Sequence, residues 1–300
     1  MGEECKDSGD LRAQVLIEAL PYIRRFHENI IVIKYGGSVM NSDELTDSLI
    51  QDIVLLKLVG FRPIIVHGGG KKISRWVEIS GKKPEFVDGL RVTDEDTVEI
   101  AQMVLNGINK NLVMAVEKFG VKACGLSGLD GGMLKVKKKM PGGKDIGFVG
   151  DIQDVNTEII EQMLDNDYIP IICPIGFDDD HRAYNINADD AAYSIASAIK
   201  AAKLAFLTDV EGLYEDYDDK ESLISEITVS QAQRLVNAGD IKGGMLPKLK
   251  NCISAIRKGV SRVHILDGRI EHSLLLEIFT HKGVGTAILG DEEEKFFGQN

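Results

Sequence analysis

Runs of aliphatic residues alternate with amphipathic stretches along most of this chain. The runs IIVIK (residues 30–34) and RPIIVH (residues 62–67) are each followed by a segment in which apolar residues recur at helical spacing. The same order recurs around YIPIIC, KLAFLT and RVHIL. Strands that are apolar without alternation are typical of parallel sheets covered on both faces. The pattern therefore predicts an α/β fold, a three-layer αβα sandwich with a central, mostly parallel sheet.

An additional amphipathic helix is predicted ahead of the first strand. In the segment DLRAQVLIEALPYIRRFHEN, the residues Leu11, Val15, Ala19 and Leu20 recur at helical spacing. A helix outside the core is stable only where its apolar stripe is buried. We therefore expect this stripe to contact another subunit or, as the alternative, its own. Residues 1–28 are accordingly predicted to be an oligomerisation helix.

The composition is that of an ordinary globular protein. The 300 residues are 44% hydrophobic and 27% charged, which suits one large α/β domain or two lobes. No window approaches the roughly 18 uninterrupted apolar residues of a membrane helix, and the start MGEECKDSGD does not resemble a signal peptide, so we expect a cytoplasmic protein. The cysteines are scattered, which argues against a disulfide framework or a structural zinc site: Cys5, Cys124, Cys173 and Cys252.

The formal net charge of -12 disfavours a nucleic-acid-binding surface, because such surfaces neutralise phosphates with Lys and Arg. An anionic ligand must therefore be held locally, and two glycine-rich strand ends are candidates. YGGS contains Gly36 and Gly37, and HGGGKK contains residues 68–70. Consecutive glycines before a helix leave backbone N–H groups at the positive end of the helix dipole, where phosphate or carboxylate binds.

Neither loop matches a common nucleotide fingerprint. The spacings GxxxxGK[ST] and GxGxxG are both absent, so the sequence supports neither a P-loop NTPase nor a dinucleotide fold. Tight turns are the alternative interpretation of the glycines. Lys34, at the end of the first strand, and Lys248, in the first turn of the helix predicted from GGMLPK, are candidate cations for the same ligand. The alternative for each lysine is a solvated side chain.

Six motifs resemble the amino acid kinase family, in the family's order, from about residue 30 to residue 289. They are IKYGGS, VHGGGKKI, GLRVTD, NINADDAA, LTDVEGLY and GGMLPK. GLRVTD with NINAD resembles the branch of this family that phosphorylates N-acetyl-L-glutamate. The resemblance implies the amino acid kinase fold with two lobes. We expect an acetylglutamate-binding lobe at 29–185 and an ATP-binding lobe with a C-terminal regulatory segment at 186–300.

The reaction implied by the resemblance moves the γ-phosphoryl of ATP to the side-chain carboxylate of N-acetyl-L-glutamate, in arginine biosynthesis. That carboxylate is ionised near pH 7, so the reaction needs no general base. The obstacles are repulsion between two anions and their in-line positioning, which cations and N–H donors overcome. Mg²⁺ is expected to be held mainly by the ATP phosphates, so no dedicated cluster of protein metal ligands is predicted.

The family's catalytic roles carry over to residues of this chain. The resemblance implies that Lys34 and Lys248 stabilise the transferring phosphoryl and that Asp189 of NINAD orients both lysines. It also implies that Gly37 and Gly69 donate backbone N–H groups to this phosphoryl. A side chain at Gly69 or its neighbour Gly70 is expected to fill the gap in which the two anions approach each other.

The resemblance also implies the binding residues. The acceptor is expected at Gly69, Gly70, Arg91 and Asn185, and Arg91 suits its α-carboxylate because a guanidinium binds a carboxylate through two parallel hydrogen bonds. The nucleotide is expected to contact Lys34 and Lys248. Further nucleotide contacts are expected from the glycine loops, LTDVEGLY and KGGM: Gly36, Gly37, Asp209, Gly212, Leu213, Lys242, Gly243, Gly244 and Met245.

Several of these residues have a purely structural alternative. Asp189 or the adjacent Asp190 could cap the following helix, Arg91 could form a surface ion pair, and Asn185 could bond its own backbone. His67 directly precedes the glycines, yet we predict a packed histidine and not a catalyst, because the reaction removes no proton.

Arginine-inhibited members of this branch use an N-terminal helix to link dimers into a hexamer, and their C-terminal region completes an arginine site. This chain has both parts, which implies inhibition by L-arginine and a homo-oligomer, a hexamer built as a trimer of dimers. The alternative is an unregulated chain whose helix packs on its own subunit. The arginine residues implied by the resemblance are Tyr22, His272, Glu277, Gly283 and Gly285.

Two other functions stay open at this point. One is a related kinase that acts on another carboxylate, such as an aminoadipate derivative, because selectivity for side-chain length cannot be worked out from sequence. The other is a catalytically silent arginine sensor. The presence of Lys34, Asp189 and Lys248 argues against a sensor, which needs no pair of lysines facing a phosphoryl group.

Overall fold

The computed structural model describes residues 3–36, 40, 42–215, 219–239, 241, 245–280 and 283–292. The helices are α1 (Glu3–Phe26), α2 (Asp43–Leu58), α3 (Gly70–Ile79), α4 (Glu95–Glu117), α5 (Glu158–Asp165), α6 (Ala188–Ala198), α7 (Val229–Ala238), α8 (Met245–Arg257) and α9 (Ser273–Phe279). The strands are β1 (Ile30–Tyr35), β2 (Arg62–His67), β3 (Phe86–Val87), β4 (Leu90–Arg91), β5 (Ala123–Ser127), β6 (Leu134–Lys138), β7 (Gly150–Val155), β8 (Ile169–Cys173), β9 (Ile175–Phe177), β10 (Ala183–Asn185), β11 (Lys203–Thr208), β12 (Glu226–Thr228), β13 (Arg262–Asp267) and β14 (Thr286–Leu289).

Within the described residues, eight strands form the central sheet, in the order β12–β14–β13–β11–β1–β2–β8–β5. Neighbouring strands are parallel, except for the antiparallel pair β13 and β14. The register places Lys34 of β1 beside Val66 of β2 on one side and Phe206 of β11 on the other. The segments that follow β1, β2 and β11 therefore begin side by side, at the carboxyl edge of the sheet.

The two faces of the sheet carry separate hydrophobic cores. Val32 belongs to the core beneath α6 and α8, whereas Ile31 and Ile33 belong to the core beneath α2 and α4. Successive side chains of a strand point to opposite faces, so a strand buried on both faces is apolar throughout. The predicted three-layer fold with a mostly parallel sheet is confirmed.

Smaller elements lie beside the central sheet. In the described part of the chain, one is a four-stranded sheet of order β10–β9–β6–β7, and another is the antiparallel hairpin β3–β4. Both contribute residues to the cavity described below. None of the helices that the structure describes is long and apolar enough to cross a membrane.

The N-terminal helix spans Glu3–Phe26, within the predicted segment 1–28. Its last turns pack on the core, where Tyr22 and Phe26 are buried. The preceding turns expose large apolar side chains, with Leu16 70% and Ile17 69% exposed. The C-terminal end of the helix therefore packs on its own subunit. The preceding turns that the structure describes present apolar surface.

Candidate active site

A cavity of about 270 Å³ lies at the carboxyl edge of the central sheet. Three segments line most of it: the glycine loop 68–70, the hairpin β3–β4, and residues 185–189 at the start of α6. Ligands of open α/β sheets bind beyond the carboxyl ends of the strands, and a cavity with convergent polar groups is a candidate active site.

Two lysines share one carboxylate at this cavity. Lys34 Nζ lies 2.9 Å from Asp189 Oδ1, and Lys248 Nζ lies 3.2 Å from Asp189 Oδ2. The three side chains come from the end of β1, the first turn of α6 and the first turn of α8. The fold therefore brings the two lysines that the resemblance implies for phosphoryl stabilisation into contact with the aspartate that it implies orients them.

The lysines keep Asp189 ionised. Burial raises the pKa of Asp189, but the charges and hydrogen bonds of Lys34 and Lys248 together outweigh burial and lower this pKa below its usual value. Because two cations surround one anion, the cluster carries a net charge of +1. An approaching phosphate is attracted by this excess charge.

Asn187 caps α6, so neither aspartate does. The side-chain oxygen of Asn187 accepts hydrogen bonds from the backbone N–H groups of Asp189, at 2.8 Å, and Asp190, at 3.3 Å. The alternative in which Asp189 or Asp190 caps this helix is wrong. Because Asn187 supplies the cap, the carboxylate of Asp189 remains available to both lysines.

The first turn of α3 has no side-chain cap. Gly69 occupies the N-cap position and has no side chain to accept from the first-turn N–H groups. The first N–H of this helix with a helical partner is that of Ile73, which donates to Gly69 O at 2.9 Å. Free N–H groups at a helix start bind anions, and here they border the cavity.

Arg91, at the end of β4, also lines the cavity. It is buried, and its Nη2 donates to Gly70 O at 2.8 Å and to Ser74 Oγ at 2.9 Å. Its Nη1 has no hydrogen-bond partner within the described residues. Burial lowers the pKa of Arg91. The alternative of a surface ion pair is therefore wrong, and Nη1 is available to an anionic ligand.

Asn185 ends β10 and borders the same cavity. It pairs in register with Ile175 of β9, and its backbone N–H donates to Phe148 O at 2.9 Å. The alternative in which Asn185 is a loop residue is wrong, because strand pairing fixes its backbone. Its amide therefore stands on a rigid element.

The glycines differ in what a side chain would meet. At Gly36 a Cβ would lie 3.2 Å from Lys34 Nζ, so bare backbone leaves room for this ammonium group. At Gly70 the nearest atom is Arg91 Nη2, at 4.0 Å. At Gly69 a Cβ would lie 2.7 Å from the side chains of Leu105 and Ile108 in α4. The expectation that a side chain at Gly69 would fill the anion gap is therefore wrong, since it would enter the core.

The residues expected to contact the nucleotide are described only in part. Asp209 directly follows β11, and Leu213 is buried with its N–H donating to Thr286 Oγ1 at 2.8 Å. A Cβ at Gly212 would lie 2.4 Å from the same oxygen, so this glycine is required for packing. Met245 begins α8. The remaining expected contacts lie outside the described residues: Gly37, Lys242, Gly243 and Gly244.

The residues expected to bind arginine fall into two groups. Glu277 accepts backbone hydrogen bonds from Val284, at 2.9 Å, and Gly285, at 3.2 Å, and a Cβ at Gly283 would lie 2.5 Å from Glu277 Oε2. Tyr22 packs edge-on against Phe279 of the same helix α9.

His272 lies apart from this group. Its Nδ1 contacts Asp52 Oδ1 of α2 at 2.6 Å. The histidine that contacts Glu277 is His264, whose Nδ1 lies 2.8 Å from Glu277 Oε1, while Lys203 Nζ donates to its other nitrogen. Burial and the charge of Lys203 lower the pKa of His264. Sequence reasoning missed this buried partner because nothing in the strand RVHILD links His264 to Glu277, which lies 13 residues later in α9.

Asp190, a candidate helix cap in the sequence, instead holds two other side chains. Its Oδ2 accepts from Lys139 Nζ at 2.6 Å, and its Oδ1 accepts from Asn251 Nδ2 at 2.9 Å. Asn251 lies one turn after Lys248 on α8, so Asp190 joins α6 to the helix that carries the second lysine. The doubled aspartate of NINADD is the only sequence signal, since consecutive helical residues point in different directions.

No group of three or more His, Cys, Asp or Glu side chains is placed to hold a metal ion in the described part of the chain. The donors that line the cavity in the described part of the chain are cations, backbone N–H groups and the amides of Asn185 and Asn187. This set fits anionic ligands and offers no ready-made metal cage.

Comparison with known proteins identifies the family. A profile of the amino acid kinase family matches residues 29–267. The chain belongs to the amino acid kinase family. The acetylglutamate kinase of Campylobacter jejuni subsp. doylei is 59% identical over 277 residues, 92% of this chain and 98% of that protein. The acetylglutamate kinase of Caldanaerobacter subterraneus subsp. tengcongensis is 53% identical and covers 93% of both chains. The predicted family is confirmed, and the chain is an ATP-dependent phosphotransferase.

Solved structures agree with this fold. N-acetylglutamate synthase from Neisseria gonorrhoeae, complexed with coenzyme A and N-acetyl-glutamate, has a TM-score of 0.83 and is 27% identical, and this chain spans 64% of its length. The same synthase has been solved with coenzyme A and L-arginine, with a TM-score of 0.80. Giardia carbamate kinase, 15% identical with a TM-score of 0.67, shares the fold.

Proposed function

We propose that this enzyme transfers the γ-phosphoryl of ATP to the side-chain carboxylate of N-acetyl-L-glutamate, giving ADP and N-acetyl-L-glutamyl 5-phosphate. One observation carries the proposal. Within the described residues, the cavity is lined by Arg91, whose Nη1 has no hydrogen-bond partner, and by Lys34 and Asp189, which form a cluster with Lys248. A dicarboxylate acceptor has one carboxylate for the guanidinium and a second that reaches the phosphoryl.

The residues act by attraction and placement. Arg91 and the amide of Asn185 hold the acceptor, so that its ionised side-chain carboxylate lies near the start of α3. Lys34 and Lys248 stabilise the negative charge on the transferring phosphoryl and on the leaving oxygen of ADP. The N–H groups that begin α3 supply further donors. Asp189 keeps both ammonium groups in one place without removing a proton from the acceptor.

ATP and Mg²⁺ complete the site. The phosphates fit the positive cluster, and Mg²⁺ neutralises phosphate charge when it is bound, held mainly by phosphate oxygens and water. The adenosine side is assigned to Asp209, Leu213 and Met245. The division into an acceptor lobe at 29–185 and an ATP lobe at 186–300 follows from this placement, with α6 at the boundary.

ADP release from MgATP tests the proposal. N-acetyl-L-glutamate, glutamate, aspartate and N-acetylated aminoadipate are compared as acceptors at equal concentrations. We expect turnover to be fastest with N-acetyl-L-glutamate. Equal or faster turnover with the aminoadipate derivative would reassign the acceptor, and no acceptor-dependent ADP release would contradict the proposed reaction and favour a silent sensor.

Arg91→Lys tests the acceptor side of the site. A lysine keeps the charge but lacks the two parallel donors, so we expect the KM for N-acetyl-L-glutamate to rise about tenfold to a hundredfold with a smaller change in kcat. Arg182→Lys is the matched control, because Arg182 is exposed and pairs with Asp178 at the surface. An unchanged KM in Arg91→Lys would remove Arg91 from the acceptor site.

Feedback inhibition by L-arginine and a hexameric assembly, a trimer of dimers, form the regulatory part of the proposal. Support comes from the exposed Leu16 and Ile17 on α1, from the buried carboxylate of Glu277, and from the related synthase solved with L-arginine. Tyr22 links the two regions, because it lies on α1 and packs against Phe279 at the end of α9.

The double variant Leu16→Gln with Ile17→Gln tests this part. It removes apolar surface without touching the buried Tyr22 and Phe26, so we expect smaller particles in light scattering and weaker inhibition by L-arginine. Leu58→Gln is the control, because Leu58 is equally exposed, at 69%, on α2. Unchanged mass and unchanged inhibition would leave α1 without a role in assembly.

A further inference from the structure

His67 is a buried titratable residue directly before the glycine loop, and the proposed reaction gives it no proton to transfer. It is fully buried, as the sequence predicts for a packed histidine. Its Nδ1 lies 3.0 Å from Gly68 O, and its Nε2 lies 3.2 Å from Asn109 Nδ2 of α4. Both ring nitrogens therefore have a partner, one in the glycine loop and one in the core.

Asn109 determines which ring nitrogen of His67 carries the proton. Its Nδ2 also donates to Ile171 O at 2.8 Å and faces Leu126 O at 3.3 Å. Carbonyl oxygens only accept, so the amide group of Asn109 must turn its NH₂ toward them. The same NH₂ faces Nε2 of His67, which must then be the unprotonated nitrogen.

The proton of His67 is consequently on Nδ1, which donates it to Gly68 O. Burial lowers the pKa of His67 to about 4, despite an opposing effect of the Gly68 hydrogen bond, so the ring is neutral near pH 7. The orientation of Asn109 leaves its own Oδ1 buried without a partner in the described residues. Gly125 leaves space for this oxygen, since a Cβ there would lie 1.9 Å from it.

The hydrogen bond to Gly68 O fixes the direction of the next N–H group. A trans peptide is planar, so the C=O of Gly68 and the N–H of Gly69 point in opposite directions. His67 holds the C=O on the buried side of the loop, which turns the N–H of Gly69 to the other side. The N–H of Gly68 is already used, because it donates to Tyr35 O at 2.8 Å.

We propose that His67 is a positioning residue that aims the backbone N–H of Gly69 at the transferring phosphoryl, with Asn109 selecting the tautomer that makes this possible. The inference rests on the proposed function, because it assigns the Gly69 N–H to the phosphoryl in flight. It gives the histidine of the HGGG motif a role that involves no proton transfer.

Two amide variants test the role of each ring nitrogen. His67→Asn places an amide N–H near the position of Nδ1 and keeps a donor for Gly68 O. His67→Gln places its amide near the position of Nε2, where the amide faces Asn109. Gly68 O is then left without a donor. We expect kcat to fall about tenfold to a hundredfold in His67→Gln, less than for complete loss of an oxyanion donor, with both KM values within about twofold. In His67→Asn we expect kcat within about threefold of the parent.

The results separate this inference from the proposed reaction. Without acetylglutamate-dependent turnover in the parent enzyme, the reaction itself is wrong. With turnover in the parent and equal kcat values in His67→Asn and His67→Gln, the positioning role is wrong. Thermal denaturation of both variants shows whether a loss of kcat follows from unfolding.

The tautomer is measured independently of activity, from the ¹⁵N chemical shifts of the imidazole in labelled protein. We expect a protonated Nδ1 and an unprotonated Nε2 for His67 at pH 7. The opposite tautomer, or a charged ring, would overturn the proposal even if turnover is normal.

Discussion

The glycine loop 68–70 separates two polar regions of opposite character. On the side of α6 and α8, Lys34, Asp189 and Lys248 are all ionised groups held within 3.2 Å of a partner. On the side of α4, His67 and Asn109 are fully buried, and burial keeps the histidine neutral. The charged groups lie on the side where an anion would bind. The neutral groups lie on the side where they only hold the backbone of the glycine loop.

The difference follows from the cost of burial. A buried charge is tolerated when it is paired, and the cluster remains positive because two cations share one anion. Behind the loop, the described partners of His67 are a backbone carbonyl and an amide, so the neutral tautomer is the stable one. The charged region can therefore stabilise a transition state, whereas the neutral region can only fix geometry.

Lys248→Met breaks the charged region and has the largest expected effect. Methionine keeps much of the side-chain volume but removes the cation, so we expect kcat to fall about a hundredfold to a thousandfold. The KM for ATP should change much less, because the lost interaction acts mainly on the transition state. Lys250→Met is the control, since Lys250 is exposed on the same helix. A variant that loses ATP binding and keeps kcat would place Lys248 in ground-state binding only.

Gly69→Ala and Gly70→Ala separate the two regions at adjacent positions. At Gly69 the added Cβ meets Leu105 and Ile108 of α4, so we expect a loss of about 1–3 kcal/mol in the free energy of unfolding. At Gly70 the nearest atom is Arg91 Nη2, so we expect little loss of stability and a higher KM for the acceptor. Chemical denaturation and steady-state kinetics measure the two effects. Equal stability losses would mean that both glycines serve the core.

The sequence predicts the charged region better than the neutral one. Lys34 stands at the end of a recognisable strand, and the resemblance to the family implies that Asp189 meets it. Asn109 lies in the middle of α4 within the polar stretch NGINKN, and no local pattern links it to His67, 42 residues earlier along the chain. Long-range pairs of buried polar groups depend on how layers pack, which periodicity does not encode.

The same reason explains the errors near the site. Any Asn, Asp or Ser at the start of α6 could serve as its cap. Only the three-dimensional structure shows that Asn187 is the cap and that Asp190 contacts Lys139 and Asn251. His272 and His264 are eight residues apart, and the strand geometry of β13 selects the one that contacts Glu277. Sequence patterns identify the candidate residues, and the packing of helices and strands determines which of them make the contacts.

The pH dependence of the free energy of unfolding tests whether His67 is neutral in the folded protein. This is the smallest of the expected effects. The pKa of His67 is about 4 in the folded protein, against 6.5 for a histidine in water, so the unfolded chain binds the extra proton between these values. Stability therefore falls as the pH drops through this window. From pH 7 to pH 5, His67 alone should remove about 2 kcal/mol from the free energy of unfolding.

His67→Asn isolates this contribution, because asparagine does not titrate. We expect urea denaturation at pH 7 and pH 5 to show a smaller loss of stability in the variant, by about 2 kcal/mol, while other titrating groups act equally on both proteins. An identical pH dependence in variant and parent would mean that His67 is protonated as easily in the folded chain as in the unfolded one. A charged ring would then lie behind the glycine loop, and the contrast between its two sides would disappear.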